Sequence, residues 1–119
     1  MKPIVWSLIA ASLTLASMFP AAAADRELSV VNINYEGNNV WVPNTIVVKK
    51  GDTVRLKLFN RVPTAPNVHG FAIPEFGVKV DVNRGQTESV EFVADKAGLF
   101  RIECHLHPAH FPGTLVVLE

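Results

Sequence analysis

From Leu28 to the C-terminus, short β-prone runs alternate with turn residues, and no stretch carries a convincing helical period. The clearest run is Val54-Arg55-Leu56-Lys57-Leu58, where apolar and basic residues alternate so that one face is buried and the other wet. Leu28–Tyr35 precedes it, ended by Glu36-Gly37-Asn38-Asn39; Val40–Val42 and Thr45–Lys49 follow, separated by Pro43-Asn44, where a ladder must break. Asn60–Asn67 holds two prolines and reads as a loop. Beyond it, Val68–Ile73, Val78–Val82, Thr87–Val93, Phe100–Cys104 and Thr114–Leu118 are further strands, divided by Pro74-Glu75-Phe76-Gly77, Asn83-Arg84-Gly85-Gln86 and Ala94-Asp95-Lys96-Ala97-Gly98. The pattern predicts an all-β, antiparallel Greek-key sandwich of seven or eight strands.

The first 24 residues read as a cleaved secretory signal. Lys2 gives the positive start, Ile4 to Phe19 the apolar run, and Ala22-Ala23-Ala24 the small-residue cleavage site. That run is short for a membrane span, and no second one follows. The reading is therefore a periplasmic protein with one domain, residues 25–119, and no stable membrane insertion after cleavage. Beyond Lys2 ten basic residues face eleven acidic ones, with no basic stripe for nucleic acid.

Cys104 is the only cysteine, so no internal disulfide explains its presence in an exported chain. It opens Cys104-His105-Leu106-His107-Pro108-Ala109-His110, in which imidazoles three and six residues after a thiolate can close around one metal ion. Alternation from Phe100 and Ile102 turns Cys104 inward and His105 to the opposite face, so His105 is expected to be structural. Pro108 and Pro112 stiffen the loop. The one remaining histidine, His69, stands at a loop-to-strand boundary and supplies a second imidazole. His69, Cys104 and His107 make the His2Cys set that favours copper, usually completed by a long axial Met. Both methionines, Met1 and Met18, lie in the signal, so His110 is expected in the fourth position, with Glu75, water or a backbone oxygen as alternatives and Asn60 as a supporting residue or alternative ligand. Imidazole in place of thioether favours Cu(II) and lowers the reduction potential. Zinc is the competing metal, because one Cys with three His also suits a tetrahedral site. Phe71, Phe76 and Phe111 read as core or a water-excluding rim.

The stretch Trp41-Val42-Pro43 through Lys50-Gly51-Asp52-Thr53-Val54 to Asn60, with His69 and Cys104-x-x-His107 behind it, resembles a cupredoxin. His69-Gly70-Phe71, Phe76-Gly77-Val78 and Phe92-Val93-Ala94-Asp95-Lys96-Ala97-Gly98 are similar to the copper domains of nitrous oxide reductase and cytochrome c oxidase subunit II. Those domains hold a binuclear centre with two cysteines; one cysteine here implies the fold and a mononuclear site. The loop from Cys104 to Leu115 is similar to that of nitrosocyanin-like mononuclear copper proteins, which carries copper ligation onto Cys104, His107 and His110. The loop between the two histidines is two residues shorter here, and His69 stands where that family places a carboxylate.

Four functions compete. The leading one is an electron carrier, with no catalytic residue, that exchanges single electrons with a periplasmic redox partner protein. A copper enzyme or accessory protein would instead act on a small species such as ferrous iron, in periplasmic iron uptake. A copper-binding or storage protein would have no redox role, and an inert secreted sandwich would not need Cys104 at all.

Overall fold

The computed structural model describes residues 1–3 and 22–119. The signal expected at residues 1–24 falls largely outside the described residues, among which no helix is long and apolar enough to cross a membrane.

The fold is all-β. Its strands are β1 (Asp25–Tyr35), β2 (Asn38–Val42), β3 (Thr45–Lys49), β4 (Thr53–Asn60), β5 (Val68–Ile73), β6 (Val78–Asn83), β7 (Thr87–Val93), β8 (Gly98–Ile102) and β9 (Gly113–Leu118), with one 3-10 turn at Pro74–Phe76. They form a four-stranded sheet in the order β2-β1-β4-β7, a three-stranded sheet β3-β9-β8 and a β5-β6 hairpin. Among the described residues nine strands form, one for each β-prone run of the sequence, against the seven or eight expected for the sandwich, and the break at Pro43 and Asn44 sends β2 and β3 to different sheets. β2 pairs antiparallel with β1, whereas β3 pairs with β9. Two pairings are parallel, β1 with β4 and β3 with β9, and join segments far apart in the chain. Strand periodicity does not encode that choice of partner.

The core lies between the sheets. Val54, Leu56 and Leu58 of β4 point inward and are at most 1% exposed, while Arg55 and Lys57 face water. Burial of each such side chain contributes about 1.5–3 kcal/mol before cavity effects. Ile46 and Val48 from β3 and Leu115 and Val117 from β9 meet them from the opposite sheet.

Two polar clamps fix the ends of β4. At its start, Asp52 is buried. Its Oδ1 accepts from the Ala24 backbone N–H at 3.0 Å, and its Oδ2 from Lys49 N–H at 3.0 Å and Arg26 Nε at 3.1 Å. These donors hold its carboxyl below the usual range, the Lys49 amide acting most strongly. At its end, buried Asn60 donates from Nδ2 to the carbonyls of Asn67 (3.1 Å) and Val82 (2.9 Å) and accepts Val62 N–H at Oδ1 (3.1 Å). Asn60 thereby folds the 61–67 loop back onto β6 and delivers the chain to His69.

Candidate metal centre

The inward phase of β8 carries past its last residue. Glu103 exchanges two backbone hydrogen bonds with Ala72 of β5, at 2.8 and 2.9 Å, so the chain stays extended for one more step and Cys104 turns inward, 6% exposed. The Cys104 Sγ accepts the Gly70 backbone N–H at 3.1 Å, a bond suited to a thiolate. Two tight turns follow, His107 N–H to Cys104 O at 3.3 Å and His110 N–H to His107 O at 3.1 Å. The far end of the loop is pinned where Phe111 N–H donates to Asn39 O at 2.8 Å. His69 comes from β5, opposite Val82, and is fully buried.

These elements bring one donor atom from each of His69, Cys104 and His107 within 4.8 Å of one another. Cys104 Sγ lies 3.5 Å from His107 Nδ1, and the rings of His69 and His107 have centroids 5.0 Å apart. Neither nitrogen of His69 has a hydrogen-bond partner among the described residues. A buried polar group left in that state costs about 1–3 kcal/mol, so a protein keeps one only where something else engages it. Burial first, then the neighbouring His110 and His107, push the His69 pKa down to about 4. The Pro66 carbonyl works in the opposite direction without reaching hydrogen-bond geometry. The imidazole is thus neutral at physiological pH, the form that ligates metals.

His110 is buried beside this cluster and not within it. Its ring centroid is 5.5 Å from that of His69 and 6.2 Å from the near-parallel Trp41. Its Nε2 lies 2.9 Å from Oδ1 of Asn32, and its Nδ1 3.2 Å from the Phe111 carbonyl oxygen. Burial is the main cause lowering its pKa, opposed by that carbonyl. Glu75 sits exposed on the 3-10 turn, outside the three-donor group. All three hydrogen bonds of Asn60 go to backbone, so its side chain shapes the loop. His105 pairs through Nε2 with Asp81 Oδ1 at 2.7 Å, and its ring lies against Gly70. A Cβ at Gly70 would meet that ring at 2.5 Å, which explains the glycine.

Two residues that support the site are not among the candidate site residues read from the sequence. Asn32 of β1 reaches His110 across 78 residues of chain, and Trp41 of β2 donates Nε1–H to the Gly70 carbonyl at 2.9 Å. Trp41 also meets Phe71 edge-on at 5.3 Å, closing the inner side of the site.

A family model described as a cupredoxin-like domain matches residues 7–117. The chain belongs to that family. The cupredoxin fold is also seen in solved structures. The periplasmic domain of cytochrome oxidase subunit II from Bradyrhizobium japonicum superposes with a TM-score of 0.58 at 22% identity, over 77% of this chain and 84% of that one. A copper binding protein in the apo form, solved by NMR, gives 0.60 at 27% identity, over 78% and 87%. Among curated relatives, nitrous-oxide reductase of Cupriavidus necator is 49% identical over 57 residues, which are 48% of this chain and 9% of that enzyme. The chain therefore spans less than a tenth of the length of that relative. Cupredoxin membership, one buried cysteine sulfur and two imidazoles together point to copper. The residues present fit that metal: the donor set joins a sulfur to imidazoles, the donors converge, and His69 has no hydrogen-bond partner among the described residues.

Proposed function

We propose that residues 25–119 are a periplasmic single-domain protein that holds one mononuclear copper ion and transfers single electrons. One observation carries the reading: the fully buried His69 imidazole has no hydrogen-bond partner among the described residues, and it meets Cys104 Sγ and His107 on elements locked by backbone hydrogen bonds. Copper bound there would supply a one-electron couple. The chain's own contribution is to hold the donors still. The Gly70 N–H stabilises the thiolate, the 72–103 bridge fixes its direction, and Phe71 and Trp41 exclude water. His110 is the fourth donor in this reading. The partner is a redox protein docking where His107 is only half-buried, beside the exposed Leu106, Pro108, Ala109 and Phe111. A modest apolar patch suits such transient contacts.

Optical and EPR spectra of the domain loaded with Cu(II), beside Cys104→Ala, test this. The expected result is an intense thiolate-to-copper band that disappears completely in Cys104→Ala. No such band, with tight zinc binding instead, overturns the electron-transfer reading in favour of a structural zinc site.

A second reading has its own observation. A cleft of about 270 Å³, lined by Arg101, Glu103, Cys104, His107, Pro108 and His110, reaches the donors from solvent. It could admit a small species, as an enzyme acting on ferrous iron requires. Steady-state oxidation of ferrous iron by oxygen, lost in Cys104→Ala, would favour it; electron exchange without turnover favours the carrier.

A further inference from the structure

Asn32 joins the four-stranded sheet to the His110 ring through its side-chain amide. It is fully buried, its Oδ1 lies 2.9 Å from His110 Nε2, and its Nδ2 has no partner among the described residues. The other nitrogen of His110, Nδ1, lies 3.2 Å from the Phe111 carbonyl oxygen. Both ring nitrogens thus face an oxygen. A neutral imidazole has a single N–H and can donate to only one of them. With Oδ1 toward Nε2–H, the Nδ1 lone pair is left opposite the Phe111 carbonyl. With the amide turned by half a rotation, Nδ2 donates to Nε2 and Nδ1–H donates to that carbonyl, so both ring nitrogens are satisfied. The two amide orientations have nearly the same shape and occupy the same space. Asparagine is the residue that serves either case, because it offers a donor and an acceptor from one planar group.

We propose that Asn32 is a positioning residue that selects the tautomer of His110, and through it decides whether the centre has three or four protein donors. The proposal rests on the reading of His110 as the fourth donor. Nε2 is engaged by Asn32 whichever way the amide points, so Nδ1 is the nitrogen His110 has to offer a metal. When Asn32 presents its NH2, Nδ1 carries the proton, donates to Phe111 and is closed to a metal. When Asn32 presents its oxygen, the proton resides on Nε2 and the Nδ1 lone pair is available. The exchange leaves the charge of the ring unchanged: one proton leaves Nδ1 and one arrives at Nε2. Metal loading then requires a turn of the Asn32 amide together with a shift of Nδ1 away from the Phe111 carbonyl oxygen it faces at 3.2 Å. Trp41, its ring at 30° to that of His110 and 6.2 Å from it, packs beside the imidazole.

The test begins in the metal-free protein, where long-range ¹H–¹⁵N correlation spectra report which nitrogen of His110 carries the proton. The expected result is the Nδ1–H tautomer in wild type, converting to Nε2–H on loading with Cu(I), which is diamagnetic. Asn32→Leu, which can partner neither nitrogen's proton, should hold Nδ1–H. Asn32→Asp, which only accepts while ionised, should hold Nε2–H before any metal is added. In the Cu(II) protein, Asn32→Leu should move the EPR spectrum toward that of His110→Ala and weaken copper about 10–100-fold, and Asn32→Asp should restore both. The same tautomer in wild type and both variants would overturn the proposal, as would a wild-type His110 that keeps Nδ1–H after loading. The wild-type spectra decide the matter even if a variant does not fold. If His110→Ala leaves the Cu(II) spectrum unchanged, the fourth-donor reading fails, and the metal-free tautomers still judge the role of Asn32 by themselves.

Discussion

The two ends of β4 bury polar groups on opposite terms. At the start of the strand, every oxygen of Asp52 is engaged, by Ala24 on one side and by Lys49 and Arg26 on the other. At the far end, roughly 25 Å away at about 3.3 Å per residue, Asn32 stands in register with Asn60, and Asn60 fixes the loop that leads to His69. There Asn32 Nδ2 and both nitrogens of His69 are buried without partners among the described residues. Burial alone therefore does not mark a functional group. A saturated carboxylate ties the chain together, whereas an unsaturated imidazole beside a thiolate is a place for something the chain does not supply.

The sharpest way to break this contrast is His69→Leu. It should weaken copper by more than about 100-fold, measured against a competing chelator, while the melting temperature of the metal-free protein holds or rises, because an unpaired buried group has been replaced by an apolar one. A clear fall in the metal-free melting temperature would place His69 with Asp52 as a structural group.

pH separates the ends more finely. The folded pKa of His69, about 4, lies below its ordinary 6.5, so between those values the unfolded chain binds a proton that the folded chain refuses. Metal-free stability should therefore decline as pH falls from about 6.5 to about 4, and His69→Leu should flatten that decline. Asp52 has a folded pKa lowered from 3.8. Its contribution is present above that value and is lost as pH falls through the folded pKa, in a lower window. Denaturation followed by circular dichroism across both windows resolves the two.

A smaller effect is expected from Asp52→Asn, which should lower the melting temperature by about 4–8 °C, the response of a domain this size to loss of a charge-assisted bond, without altering the copper spectrum. The smallest belongs to Glu75→Gln. The exposed carboxylate on the 3-10 turn should change neither the melting temperature nor the EPR parameters, and a changed spectrum would return Glu75 to the candidate ligands.

The all-β class was legible because Val54, Leu56 and Leu58 alternate with charged residues, and local alternation is a property of the strand itself. The candidate donors were legible because Cys104 and His107 share one loop and only one histidine outside it could join them. Pairing was not: nothing in the composition of β1 says that it lies parallel to β4, and that register alone sets Asn32 beside Asn60. A single asparagine on a strand has no period and no motif, so its place at the site follows from tertiary structure. Pro43-Asn44 was legible as a break, and the structure adds that the break sends its two sides to different sheets.

Gly70 gathers three separate constraints onto one residue without a side chain. Its N–H serves the sulfur, its carbonyl holds Trp41, and its bare Cα gives room to His105. These cannot be varied one at a time from position 70, since any substitution disturbs all of them together. Independent adjustment is available only at the outer partners, Trp41 for the indole and Asp81 for the imidazole. A library meant to retune this centre gains its degrees of freedom by keeping the glycine constant and searching the ring of residues that lean on it.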